Sequence, residues 1–303
     1  MRAIKNLPAS VRAQLMNYSK QKSRPFNEIL QHYTLQRFLY RLSKSIHSKN
    51  FILKGAFLLK AWGYADNRPT MDIDLLGKTE NSEQNIVSKI KDIIETKIEP
   101  DGLAFDANSI LCEQISKEAN YTGFRISFLC FLDTAKISIQ IDIGFGDVIY
   151  PKAEIVELNS ALGLSVARIH SYSRESSVAE KFHAMVKLGE LNSRMKDFYD
   201  IWLLSEKYAF DGKNLSIAIS KTFANRKTVL EENFQHFAPD FAKSKQKQWE
   251  AFHRRTLGNT ESVSRNFLVI IEDIKKFLIP IVSSLTTGKA CDKKWNFNER
   301  KWS

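Results

Sequence analysis

The tripeptide Asp72-Ile73-Asp74 is the densest concentration of chemistry in this 303-residue sequence. It lies within Thr70-Met71-Asp72-Ile73-Asp74-Leu75-Leu76-Gly77, which reads as a strand. Side chains alternate along a strand, so both carboxylates project to one face while Met71, Ile73 and Leu75 project to the other. Two carboxylates held so close repel unless a cation neutralises them. Oxygen-only donors favour Mg2+ or Mn2+ over zinc. A third acid comes from TAKISIQIDIGFG, where Ile137, Ile139 and Ile141 alternate with Ser138, Gln140 and Asp142. The isoleucines should face the core and Asp142 the opposite side. Asp72, Asp74 and Asp142 are therefore the candidate metal ligands. Such a set suits phosphoryl-type transfer, where metal ions clamp the attacking and leaving oxygens and neutralise developing charge.

A triphosphate also needs amide and cationic donors. Gly55 falls at a strand-to-helix turn between FILKG and AFLLKAWG, where a backbone can approach phosphate. Ala56 follows it, and Arg68 and Thr70 precede the acids. A DxD tripeptide alone is common and is often a pair of solvated acids beside a turn. The upstream glycine turn, the Arg-Pro-Thr leader and the later acid-bearing strand set this one apart.

The elements that must position these residues fall into two stretches. A helical period with Phe26, Ile29, Leu30, Tyr33, Leu35, Phe38, Leu39, Leu42 and Ile46 has basic residues on its other face. Asn81, with Gln84 as a capping-box partner, should open another helix. After Pro100 the pattern becomes strand-like, and from about 165 onward it is helical. The fold class expected is α+β: a core of mixed β-sheet with N-terminal helices over residues 1–165, then a helical C-terminal domain over 166–303.

Lysine and arginine outnumber aspartate and glutamate by 45 to 34, a net charge of +11 that attracts polyanions. Hydrophobic content of 43% excludes bulk disorder. No uncharged apolar run approaches a bilayer span, and the first residues lack the apolar core of a signal peptide. Cys112, Cys130 and Cys291 show no CxxC or Cys/His spacing and fit a reducing cytoplasm, the expected location.

Two blocks of residues carry a family resemblance. Lys54-Gly55-Ala56-Phe57-Leu58-Leu59 with Arg68-Pro69-Thr70-Met71-Asp72-Ile73-Asp74-Leu75 forms the first. Ala179-Glu180-Lys181 with Lys196-Asp197-Phe198-Tyr199-Asp200-Ile201 forms the second. Together they resemble the AbiEii/AbiGii family of nucleotidyltransferase toxins, within the DNA polymerase beta-like superfamily. The resemblance implies a catalytic set of Asp72, Asp74, Lys181 and Asp197, with Lys181 on nucleotide phosphate and Asp197 near the metal or nucleophile. It places the nucleoside triphosphate near Gly55, Ala56, Arg68, Thr70 and Lys181. The implied reaction moves a nucleoside monophosphate onto an acceptor hydroxyl, expected to be RNA at a tRNA 3′ end, with Mg2+ or Mn2+ as cofactor. The implied role is the toxin of a toxin–antitoxin pair in abortive infection by phage, opposed by a cognate antitoxin protein. Ala56 departs from the usual glycine or serine and offers only its backbone amide.

Read from the residues alone, Lys181 is a lysine snorkelling from a helix stripe, and Asp197 and Asp200 are acids at a helix start. A non-catalytic nucleic-acid-binding or regulatory protein on the same fold is the alternative, and a DxD glycosyltransferase is a second enzyme reading. Lys243, Lys245, Lys247, Arg254 and Arg255 surround Trp249 and Phe252. That mixture suits an RNA backbone and unstacked bases, or simply a solvated helix face. The tail KKWNFNERKW reads the same way, with Trp295 and Trp302 docking on the body or meeting a partner.

Overall fold

Isoleucine alternating with polar residues makes Ala135–Phe145 (β5) a strand with one apolar face, and its neighbours are selected by that face. The computed structural model describes residues 6–63, 70–118, 121–230, 237–257, 263–289 and 291–303. They form two compact units: Met1–Gly146 with Glu154–Ser171, and Asp147–Ala153 with Tyr172–Ser303.

The first unit is built on a seven-stranded mixed sheet. Its strands are Phe51–Lys54 (β1), Ile73–Gly77 (β2), Leu103–Glu118 (β3), Tyr121–Leu132 (β4), β5, Glu154–Leu158 (β6) and Ala167–Ser171 (β7). Their order is β3-β4-β5-β2-β1-β7-β6. β2 lies parallel to β5 and antiparallel to β1. Helices Leu7–Lys22 (α1), Phe26–Lys44 (α2), Ala56–Ala61 (α3) and Glu83–Ile94 (α4) accompany it. Phe38 of α2 packs against Phe128 of β4, 5.8 Å between rings. Phe128 is registered opposite Ile139, so α2 covers the isoleucine face.

Two local expectations shift. α4 begins at Glu83 with Ser82 as its N-cap, and no side chain caps it, so Asn81 and Gln84 form no capping box. The basic face assigned to α2 is not solvated: Arg37 is 1% exposed and Arg41 7%. Arg37 Nε lies 2.9 Å from Asp101 Oδ2, while Arg41 grips both Asp101 oxygens at 2.6 and 3.1 Å. Tyr33 donates its hydroxyl to the Asp101 carbonyl at 2.8 Å. The loop entering β3 is therefore clamped to α2 by charge.

The second unit contains Arg174–Leu188 (α5), Met195–Lys207 (α6), Gly212–Asn225 (α7), Pro239–Phe252 (α8) and Phe267–Thr286 (α9). A small sheet joins Phe210–Asp211 (β8), Lys294–Asn296 (β9) and Lys301–Trp302 (β10) in the order β10-β9-β8. An aromatic core fills this unit. Trp249 and Phe252 are buried, Trp249 against Phe267 at 5.2 Å. Both are thus unavailable for stacking on bases, which removes the aromatic half of the RNA-platform reading. The tail docks on its own unit: Trp295 Nε1 donates to the Ser205 carbonyl at 2.7 Å and Trp302 stacks on Phe277 at 5.8 Å. Among the described residues no helix is long and apolar enough to cross a membrane.

The Asp101 clamp makes a testable prediction. Burial alone would raise the Asp101 pKa, but hydrogen bonds and charge from Arg41 and then Arg37 outweigh it and hold the carboxyl below the usual range. A depressed folded pKa contributes stability that is present above about 4 and lost as pH falls through the lower folded value. Asp101→Asn should cost about 3–5 kcal/mol, because buried Arg41 loses its counter-ion and buried Arg37 keeps only Glu99, 3.0 Å away. Urea denaturation from pH 7 to pH 2 should show the lower stability and a weaker acid dependence in the variant. An unchanged midpoint would remove the clamp from the account.

Candidate active site

Strand register brings the charged residues of the first unit into one line. Glu113 of β3 opposes Arg125 of β4, Arg125 opposes Asp142 of β5, Asp142 opposes Asp74 of β2, and Asp74 opposes Lys54 of β1. Registered partners share a face, and these positions lie on the face away from the β5 isoleucines and α2. The line reads acid, base, acid, acid, base.

Asp74 and Asp142 are adjacent because β2 and β5 run parallel in register. Parallel strands sit about 4.8 Å apart, close enough for strong repulsion between two carboxylates. The basic residues at either end answer that repulsion. Arg125 binds Asp142 in bidentate fashion, Nε to Oδ1 at 2.9 Å and Nη2 to Oδ2 at 2.8 Å. Gln140 adds a 3.4 Å contact to Oδ1.

Asp72 is not part of β2. It occupies a bend immediately before the strand, so alternation alone does not orient it. Thr70 Oγ1 lies 3.1 Å from both the Asp72 carbonyl oxygen and Oδ1. Gln31 of α2 donates to the Met71 carbonyl at 3.2 Å and the Ser138 carbonyl at 3.0 Å, tying this bend to β5. Periodicity does not single out Gln31, which is one of several polar residues in α2 beside His32, Thr34 and Gln36.

Gly55 stands at the end of β1 with φ 71° and ψ −155°, a region only glycine enters readily. A Cβ there would lie 2.0 Å from Asp74 Oδ2 and 2.8 Å from Asp74 Cβ. The glycine makes the space that the Asp74 carboxylate fills. Ala56 opens the six-residue α3, with its side chain buried. Arg68 lies outside the described residues.

The donors fit a hard divalent cation in part. Asp72 and Asp74 offer oxygens only, as Mg2+ or Mn2+ prefers. Asp142, however, has both oxygens on Arg125, and among the described residues no three His, Cys, Asp or Glu are grouped to hold a metal. Asp72 and Asp74 are the residues that would hold it first.

The second unit holds its own charge cluster. Lys181 Nζ of α5 lies 2.7 Å from Asp200 Oδ2 and 3.2 Å from Asp197 Oδ1, both on α6. Spacing of i, i+3 puts the two acids on one helix face. Arg194 Nε approaches Asp197 Oδ2 at 2.7 Å, and Asn192 Oδ1 accepts the Arg194 backbone N–H at 2.8 Å at the start of α6. Asp197 is 1% exposed and Asp200 is fully buried. Burial pushes Asp197 up, but Lys181, Arg194 and Lys196 outweigh it and hold the carboxyl below its usual range. Lys181 therefore does not snorkel; it is the counter-ion of two buried acids. Beside it on α5, Glu180 pairs with Arg226 at 3.1 Å, and Arg226 also holds Asp147 at 2.6 Å. Spacing does not pick out Arg125, Arg226 and Asp147, whose partners are remote in sequence, and it passes over Arg194 although Asp197 lies only three residues on.

Two substitutions test these arrangements. Gly55→Ala should cost about 1–3 kcal/mol of backbone strain and displace the Asp74 carboxylate. Denaturation equal to wild type would contradict the close approach. Lys181→Ala should destabilise by about 3–5 kcal/mol, by taking a counter-charge from two buried acids. A fully stable Lys181→Ala protein would mean that the ammonium is incidental to the fold.

Comparison with known proteins adds three findings. No curated protein matches the sequence. The crystal structure of JHP933 from Helicobacter pylori superposes with a TM-score of 0.50 at 13% identity, covering 86% of this chain and 95% of that one. A second H. pylori structure, of a protein provisionally assigned as a nucleotidyltransferase, covers 86% of this chain and 97% of its own at 14% identity and a TM-score of 0.49. The first likeness shows a shared fold. Residues 37–278, which include Asp72, Asp74, Asp142, Lys181 and Asp197, match the family described as nucleotidyl transferase AbiEii toxin, type IV toxin–antitoxin system. With four-fifths of its length inside that match, the chain belongs to the AbiEii nucleotidyltransferase toxins.

Proposed function

We propose that this toxin is a metal-dependent nucleotidyltransferase that moves a nucleoside monophosphate from a nucleoside triphosphate to RNA, at a tRNA 3′ end. The observation that carries the reading is the in-register pair Asp74 and Asp142, with Asp72 two residues ahead of Asp74. Asp72 and Asp74 hold Mg2+ or Mn2+. The bound cation would neutralise charge building on the transferring phosphoryl group. Gly55 and Ala56 offer backbone amides, and Thr70 a hydroxyl, beside the acids. Lys181 brings positive charge to nucleotide phosphate. Asp197, held ionised beside Lys181, serves as the catalytic carboxylate of the second unit. The cognate antitoxin that the family's toxin–antitoxin system implies restrains this activity, and the cytoplasm supplies triphosphate and acceptor together.

Charge supports a polyanionic acceptor. The second unit carries 24 of the 45 lysines and arginines but 17 of the 34 acids, so most of the +11 excess sits there. Lys243, Lys247, Arg254 and Arg255 are exposed, while Lys245 lies over the Phe241 ring at 5.7 Å. With Trp249 and Phe252 buried, this surface can grip phosphates but not stack on bases. Its binding should be electrostatic and tolerant of sequence.

Incubation with each labelled triphosphate and total RNA tests the reaction. Label should enter RNA only with added Mg2+ or Mn2+, and Asp72→Asn or Asp74→Asn should lower transfer by at least about 100-fold, the scale of lost metal-centred stabilisation. Transfer undiminished in both variants would sink the assignment. Filter binding of tRNA across a salt series tests the acceptor. Affinity should fall steeply with salt, and neutralising Lys243, Lys245, Lys247, Arg254 and Arg255 together should flatten the slope. Salt-insensitive binding points away from RNA.

A further inference from the structure

The line of charges across the sheet contains a guanidinium where a metal site would want a free carboxylate. Arg125 takes both oxygens of Asp142, the neighbour of Asp74 in register. Bidentate arginine–carboxylate pairs are among the stronger and more directional charge-assisted contacts. The Arg125 side chain is 40% exposed against 8% for Asp142, so the guanidinium can leave toward solvent while the carboxylate stays in the sheet.

We infer that Arg125 is a resident counter-cation that a divalent metal must displace to gain Asp142 as a ligand. It is a positioning residue that sets the cation affinity of the acidic line. This rests on the reading that Asp72 and Asp74 hold the metal. Without Arg125, Asp74 and Asp142 would repel across adjacent strands, and a cation arriving between them would relieve that repulsion fully. With Arg125 in place, part of the relief is already taken, and the bare cation gains less by binding. The free enzyme is thereby held in a low-affinity state for metal alone. Lys54, opposite Asp74 at the other end of the line, adds to the same effect.

The test is Mn2+ binding to the metal-stripped full-length chain, read by electron paramagnetic resonance of the free ion. Arg125→Gln should bind Mn2+ about tenfold more tightly than wild type, the factor for losing one competing contact of ordinary strength. Arg125→Lys keeps the charge but cannot make the bidentate pair, so it should fall between the two. In an Asp142→Asn background, changing Arg125 to Gln should give no such gain. Arg125→Gln binding equal to or weaker than wild type overturns the proposal. Should Arg125→Gln fail to fold, Arg125→Lys decides: tighter binding supports the inference and unchanged binding overturns it. Failure of the underlying reading looks different, since then Mn2+ would bind neither wild type nor Arg125→Gln, or would bind equally well to Asp72→Asn and Asp74→Asn.

Discussion

Repulsion between the Asp74 and Asp142 carboxylates is the constraint around which the first unit's polar face is arranged. Hydrogen-bonded strands cannot move apart, so the two acids remain neighbours whatever their charge state. Everything beside them answers that fact. Arg125 covers one side of Asp142, Lys54 stands opposite Asp74, and Gly55 gives up a side chain so that Asp74 has room.

The same logic recurs away from the acidic line. Arg37 and Arg41 meet Asp101 in the first unit, and Lys181 meets Asp197 and Asp200 in the second. Each cluster is nearly withdrawn from water. Burying such ions costs several kcal/mol apiece, which mutual attraction returns only when geometry is good. The Asp101 cluster has an evident structural duty, since it anchors the loop that starts β3. The Lys181 cluster joins α5 to α6, and the family's second motif falls on those residues. A lysine compensated by two buried acids ties the two helices together by charge.

The aromatic residues divide by the same test of burial. In sequence, Trp249 and Phe252 read as a binding platform or part of a solvated helix face, and Trp295 as docked on the body or meeting a partner, because basic residues flank them in both cases. Packing decides for the core: Trp249 stacks on Phe267, and Trp295 donates to the Ser205 carbonyl. What remains exposed on α8 and just beyond it is charged and polar, with Lys243, Lys247, Arg254 and Arg255 at the surface.

Local pattern alone determined a good deal of this protein. Alternation in ISIQIDIG set Asp142 on the face opposite the isoleucines, a period of 3.6 outlined α2 and α5, and i, i+3 spacing put Asp197 and Asp200 on one side of a helix. Two motif blocks in order carried the family. These features depend only on neighbours in the chain, which is why they could be read from it. Tertiary structure decided which residues face one another across strands and helices. Nothing local marks Arg125 in the strand YTGFRISFLCFL, because its bond to Asp142 depends on the register of β4 against β5. The bend at Asp72 depends on Gln31, forty residues earlier in the chain, and the burial of Arg37 and Arg41 depends on Asp101, about sixty residues later. Register and burial are non-local quantities, fixed by how a whole apolar face is covered, and periodicity names a face without naming its partner.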